Sequence, residues 1–240
     1  MICRTPIGWL LQPFSGAEAQ LGIDLLRLSL LGGLLGLDGT SVGQFMVSRP
    51  LVAGVFAGWV VGDPVTGLAV GAILELYLLV SFPTGGARFP EGATATVVAV
   101  GVATALPGPG ALPLGVALGL VWGQLGGLSV TLYRKANTRL LPQAGEALRA
   151  GGLGRVLSIA LTLDFFRAVV VTTTGLIVGL SLLGPLAAAW PLDEAGSKAL
   201  LVAGGATSAG ILLNDLGGLR ARKAWFAVGL LAGLIGVTLL

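Results

Sequence analysis

A chain of 240 residues with 55% apolar and 10% charged side chains, and a mean hydropathy of +0.93, is far from a soluble domain, where about a quarter of residues are charged. A single cysteine, Cys3, excludes an internal disulfide, and the lack of any histidine leaves no basis for a zinc or haem site or for a phosphohistidine relay. The net charge of +3 sits in loops between apolar runs, which fits the positive-inside rule and not a nucleic-acid surface.

The apolar runs are continuous and do not alternate with period two. They predict an all-α, multi-pass transmembrane helical bundle, not a β-barrel. Residues 1–20 are weakly patterned. Arg4 and a short apolar run suggest a signal peptide, but Pro6, Gln12 and Pro13 break it, so an N-terminal extension is expected ahead of a membrane domain over 21–240. Residues 21–37 read as a span whose Asp24 and Arg27, at i and i+3, can neutralise each other. Asp38-Gly39 reads as the turn that follows.

The central stretch, Gln44 to Glu91, carries Arg49, Asp63, Glu75, Arg88 and Glu91 in an otherwise apolar setting. Pro50 and Pro64 interrupt it, and the segment between them reaches only about 20 Å, short of a hydrocarbon core of about 30 Å. Gly54, Gly58 and Gly62, then Gly67 and Gly71, recur every fourth residue, so a second backbone can approach that face. Short, glycine- and proline-interrupted segments of this kind are broken or re-entrant helices, which line the binding sites of transporters. Glu75 has no charged neighbour from Pro64 to Ala87. An ionised carboxylate at such depth costs about 2.5–3.5 kcal/mol on insertion scales and marks a functional site by default. A helix-end carboxylate at the interface, or one half of a structural ion pair, is the alternative. Residues 83–92 read as irregular backbone, either an exposed loop or a re-entrant tip lining a cavity, and at membrane depth only the second is tolerated.

Downstream, residues 93–106 form a short apolar segment ended by PGPG. Residues 111–133 span, with Gly115, Gly119, Gly123 and Gly127 on a packing face. Residues 134–155 carry Arg134, Lys135, Arg139, Arg149 and Arg155 against one acid, Glu146, and are expected to be cytoplasmic. Asp164 and Arg167 separate an apolar run at 156–163 from a span at 168–190. An outer loop holds Asp193, Glu194 and Lys198, residues 199–213 return, a second basic loop ends at Lys223, and a last span covers 224–240.

The residues QFMVSRPLVAG and GDPVTGLAVGAILEL, with Arg49-Pro50-Leu51, Gly62-Asp63, Thr66-Gly67 and Leu74-Glu75 at matching spacing, resemble the membrane subunit IIC of the mannose/fructose/sorbose class of sugar phosphotransferase systems. The similarity extends over roughly residues 22–240 and includes Gly123-Gln124, Arg167 and the Gly204-Gly205 to Asn214 region. It implies a sugar-binding, sugar-moving subunit of a bacterial inner membrane, without phosphoryl chemistry of its own. It also implies a IID membrane partner, further assembly of such pairs, and soluble IIA and IIB phosphocarriers. The family's sugar site uses the glutamate of the Leu-Glu pair, an amide eight residues on and an acid sixteen residues on. Glu75 matches the first, Pro83 stands at the second, and Glu91 replaces the usual aspartate at the third. Arg88 can supply the missing donor or pair with Glu91, and Asp63 completes the candidate set. No cofactor or metal is implied. A transport-inactive scaffold, suggested by Pro83 and Arg88, and an ion-coupled transporter using Glu75 and Asp63 are the alternatives.

Overall fold

The computed structural model describes residues 16–79, 88–140 and 153–215, together with 223–224, 227–229 and 231. Those residues are helical or irregular, with no strand among them. The helices are α1 (Gly16–Thr40), α2 (Pro50–Val61), α3 (Pro64–Tyr77), α4 (Gly92–Ala105), α5 (Ala111–Asn137), α6 (Leu153–Leu182), α7 (Gly184–Ala188) and α8 (Glu194–Asp215). Segments Gln20–Thr40, Ala111–Asn137, Gly154–Leu182 and Glu194–Asp215 are long and apolar enough to cross a membrane, whereas α2, α3 and α4 are too short.

Both interrupting prolines start helices. Pro50 and Pro64 occupy the first turns of α2 and α3, where a missing N–H costs nothing and the fixed φ is already helical. Between them Gly62 takes φ 80°, the left-handed conformation open to glycine, and the chain reverses. The two short helices then pack backbone to backbone. A Cβ on Gly58 would lie 2.6 Å from the Asp63 carbonyl oxygen and 3.0 Å from the Gly67 Cα; one on Gly54 would lie 2.8 Å from the Gly71 Cα. Gly54 and Gly58 on one helix and Gly67 and Gly71 on the other are thus the two faces of one interface, with Gly62 in the turn between them.

Helix α4 is the centre of the bundle. Every residue from Ala93 to Ala103 is buried, and α1, α2, α3, α5 and α6 all pack on it. Its sequence, GATATVVAVGVATA, is apolar all round, the pattern of a helix enclosed on every side. Thr96 and Thr104 donate back to helix carbonyls, at 2.7 and 2.9 Å, so they bury no unsatisfied hydroxyl. Gly115, Gly119 and Gly123 of α5 bring its backbone against α4. Trp122 of α5 donates to the Val171 carbonyl of α6 at 2.7 Å.

Two boundaries differ from the sequence reading. The first helix runs through Asp38 and Gly39 to Thr40. Asp38 is buried, and its carboxylate accepts from the backbone N–H groups of Phe45 (2.7 Å) and Ser48 (2.9 Å). It therefore organises the loop after the helix instead of ending the helix itself. Asp164 and Arg167 do not separate two segments: α6 is one helix from Leu153 to Leu182. Charges are tolerated in its interior because they are paired. The segment ends eight residues before Trp190, and Gly184-Pro185 open the short α7. The N-terminal extension up to residue 15, Pro83, residues 141–152 of the first basic loop and most of the last predicted span lie outside the described residues.

Candidate functional site

The glycine interface of the α2–α3 hairpin sets the first pair of charges. Arg49 immediately precedes α2 and Glu75 lies in the last turn of α3, so the antiparallel packing brings them together at the open end of the hairpin. The guanidinium donates to the Glu75 carboxylate, which also accepts from the Leu51 N–H at 3.3 Å. Their side chains are 28% and 21% exposed. Glu75 is thus in an ion pair, and the pair is partly exposed.

The second cluster forms where α4 begins. Glu91 is the residue before α4, and its N–H donates to the Gly123 carbonyl of α5 at 2.9 Å. Its carboxylate is buried and gripped by Arg167 of α6: Nη1 donates to Oε2 at 3.0 Å and Nη2 to Oε1 at 2.8 Å. Thr94 donates to Oε2 at 3.0 Å. The same guanidinium donates from Nε to Asp164 at 2.7 Å and from Nη1 to the Ser129 hydroxyl at 2.8 Å. The other oxygen of Asp164 accepts from the hydroxyls of Thr40 and Ser41 at the end of α1. Exposure falls to 10% for the Arg167 side chain, 4% for Glu91 and 0% for Asp164. Among the described residues no buried side-chain nitrogen or oxygen lacks a partner.

One member of each pair, Arg49 and Glu91, borders a cleft of about 80 Å³, lined also by Thr40, Ser48 and Phe89 among others. That is well below the roughly 300–1,000 Å³ of ordinary ligand pockets. A larger cavity of about 780 Å³ lies at the other end of α3, bordered by Thr66, Asp193, Glu194 and Lys198, away from the buried charges.

The four candidate residues therefore separate. Glu75, through Arg49, and Glu91 belong to one cleft. Arg88 is exposed, and the cation on Glu91 is Arg167. Asp63 is twelve residues from Glu75 along α3, about 18 Å at helical rise. There it caps the helix, accepting from the Thr66 N–H at 3.0 Å. The Thr66 hydroxyl and N–H hold its carboxyl below the usual carboxylate range. Sequence reasoning did not bring Arg167, Asp164, Thr40, Ser41 and Ser129 into the site. A signal existed for two of them: an acid and an arginine at i and i+3 within an apolar run invite the same inference as Glu75. The hydroxyls carry no such mark. Among the described residues no group of three or more His, Cys, Asp or Glu side chains converges to hold a metal.

Residues 23–234 match the family model of the phosphotransferase system sorbose-specific IIC component. The mannose-specific EIIC component of Escherichia coli strain K12 is 28% identical over 60% of this chain and 53% of its own length. The fructose permease IIC component of Bacillus subtilis is 28% identical over 66% of this chain and 58% of its own. The matches thus span little more than half the length of these curated relatives. A solved membrane-protein structure superposes with a TM-score of 0.68 at 19% identity, covering 94% of this chain and 96% of the other. The mannose transporter ManYZ, solved in complex with microcin E492, gives a TM-score of 0.53 at 20% identity, with 95% and 94% covered. At these identities the structural matches establish the fold.

Proposed function

The chain belongs to the sorbose-specific IIC component family of the phosphotransferase system, and from that premise we propose that it binds a sugar and carries it across a bacterial inner membrane. A IIB subunit, charged by IIA, then phosphorylates the sugar at the cytoplasmic face. The chain itself acts as a transport subunit without a phosphoryl-carrying residue. Its membrane partner is a IID subunit, and IIC–IID pairs associate further. The basic residues Arg134 and Lys135, at the end of α5, and Arg139, just after it, face the cytoplasm, and Asp193 and Glu194 the outside.

The observation that carries this reading is the convergence of two pairs on one cleft. Glu75 and Glu91, sixteen residues apart, come from the end of one short helix and the start of another, and both ends are held by tight glycine packing. A carboxylate has about four acceptor sites and can take two hydroxyls of a sugar diol, with the stronger, charge-assisted kind of hydrogen bond. Arg49, between Glu75 and the cleft, adds donors that a sugar hydroxyl can accept from. Broken helices around such groups are the usual construction of a transporter site.

One observation favours a second reading, a transport-inactive scaffold of the same family. Both carboxylates are engaged by arginines of the same chain, and the cleft is small. Membrane vesicles from the native host, given phosphoenolpyruvate and the soluble phosphocarriers, separate the two. Accumulation of labelled mannose, fructose or sorbose as its phosphate, lost on deletion of this chain, supports transport. Unchanged accumulation after deletion leaves the scaffold.

A further inference from the structure

Charge balance alone would need only a cation near Glu91, and a lysine would supply it. What stands there is more specific. The Arg167 guanidinium directs two parallel bonds to the two oxygens of Glu91, a third from Nε to Asp164 and a fourth to Ser129. A parallel fork of this kind fixes the plane of the carboxylate, which a rotating ammonium cannot do. Asp164 is in turn fixed by the Thr40 and Ser41 hydroxyls. Four elements therefore converge on one carboxylate: the end of α1, α6, α5 and the head of α4. Glycine clears the space beside it, since a Cβ on Gly126 would stand 2.7 Å from Oε2.

We infer that Arg167 is the positioning residue for Glu91, setting the orientation in which that carboxylate meets substrate, with Asp164 as the brace that sets Arg167. The inference rests on the sugar-binding reading of Glu91. It also says which oxygen is available. Oε2 accepts from both Nη1 and Thr94, whereas Oε1 accepts from Nη2 alone among the described residues. A carboxylate oxygen has two lone pairs, so Oε1 is the oxygen that keeps an acceptor site no described residue uses.

The test compares Glu91→Gln, Arg167→Lys and Asp164→Asn in the chromosome of the native host, so that every partner is present. Membrane abundance and equilibrium binding of labelled mannose, fructose and sorbose are measured on the same membranes. Arg167→Lys preserves the charge and loses the fork. The expected result is normal abundance with sugar binding about 10-fold weaker, the scale of one charge-assisted hydrogen bond. Asp164→Asn should weaken binding in the same sense. If Arg167 only neutralises charge, lysine rescues it. Wild-type binding in Arg167→Lys, beside a clear loss in Glu91→Gln, overturns the positioning role and leaves the sugar site standing. If Arg167→Lys does not reach the membrane, Asp164→Asn decides, and unchanged binding there overturns the role. Unchanged binding in Glu91→Gln, or no binding of any of the three sugars by the wild type, overturns the sugar-site reading and this inference with it.

Discussion

Replacing Glu75 by Gln keeps the shape of the side chain and one acceptor while removing its charge. Whether the protein tolerates this turns on what becomes of Arg49. Breaking a buried ion pair leaves an uncompensated charge and costs about 3–5 kcal/mol, whereas exposed pairs contribute about 0–1 kcal/mol. The Arg49 and Glu75 side chains are 28% and 21% exposed, and Arg49 borders a cleft, so the abandoned guanidinium is not sealed in the interior. The cost to assembly should lie near the exposed limit, about 1 kcal/mol. A neutral amide is also cheaper in the bilayer than a carboxylate. Binding should respond differently, because a hydrogen bond to a charged group contributes about 1.5–3 kcal/mol and its loss weakens affinity by roughly 10- to 150-fold. The assay is membrane abundance and sugar binding on one preparation. Normal abundance with weakened binding is the expected outcome. Normal binding at normal abundance would refute the contact with substrate. Loss of the protein from the membrane would refute the exposure argument and make Glu75 a structural partner of Arg49.

Arg167→Met should behave in the opposite way: it strands Glu91 and Asp164, 4% and 0% exposed, and should cost about 3–5 kcal/mol, read as loss of membrane-inserted protein on a quantitative blot. Gly58→Leu should disrupt the α2–α3 hairpin, since even a Cβ there would lie 2.6 Å from the Asp63 carbonyl. Overpacking typically costs about 1–3 kcal/mol, and the melting temperature in detergent should fall, whereas the exposed Gly22, with open space around it, should tolerate the same change. Cysteines at Arg139 and Ala195 in a Cys3-free background should label oppositely with an impermeant thiol reagent on intact cells, Ala195 reacting and Arg139 protected; labelling of Arg139 would reverse the orientation. Tagged chain solubilised from the native host should co-purify a second, IID-type membrane subunit, and a sugar-binding preparation without one would contradict the partner.

The broken-helix character of the central stretch was legible because prolines and fourth-residue glycines are local signals with a direct steric meaning. Pro50, Pro64 and the Gly54–Gly71 series pointed to short, broken helices with a close-packing face, though not to their packing on each other. Glu75 was legible for the same kind of reason, a lone acid in an apolar run. Its partner was not, because Arg49 meets it only after the hairpin closes, 26 positions back in sequence. Glu91 illustrates the limit more sharply. Arg88, three residues away, was the nearby cation, yet the bonded one is Arg167, 76 positions on. Long-range pairing of charges depends on which helices touch, and apolar periodicity says little about that when α4 is buried on all sides. The Asp38-Gly39 boundary failed for a related reason. Asp and Gly favour turns when solvated, but here the acid is buried and finds its acceptor role in the loop beyond.

That loop bears on how Arg49 is delivered to the cleft. Gly43, Gln44 and Met46 have φ of 81°, 52° and 67°, so two residues with side chains stand in the left-handed region. Such conformations cost of order 1–3 kcal/mol each and persist only where the surroundings over-determine them. Asp38 does this by accepting from Phe45, within the segment, and from Ser48, just beyond it. A loop held in this way is a poor hinge and a good ruler. It fixes Ser48 and Arg49 relative to α1, just as Asp164 and its two hydroxyl donors fix Arg167 relative to the same helix two residues further along. Helix α1 thereby sets the position of both arginines, and hence of both carboxylates they hold. The small volume of the cleft follows from that arrangement. Because each arginine is tied to the end of α1, enlarging the cleft while Arg167 keeps its hold on Glu91 requires Glu75 to part from Arg49, or α1 to move with both arginines.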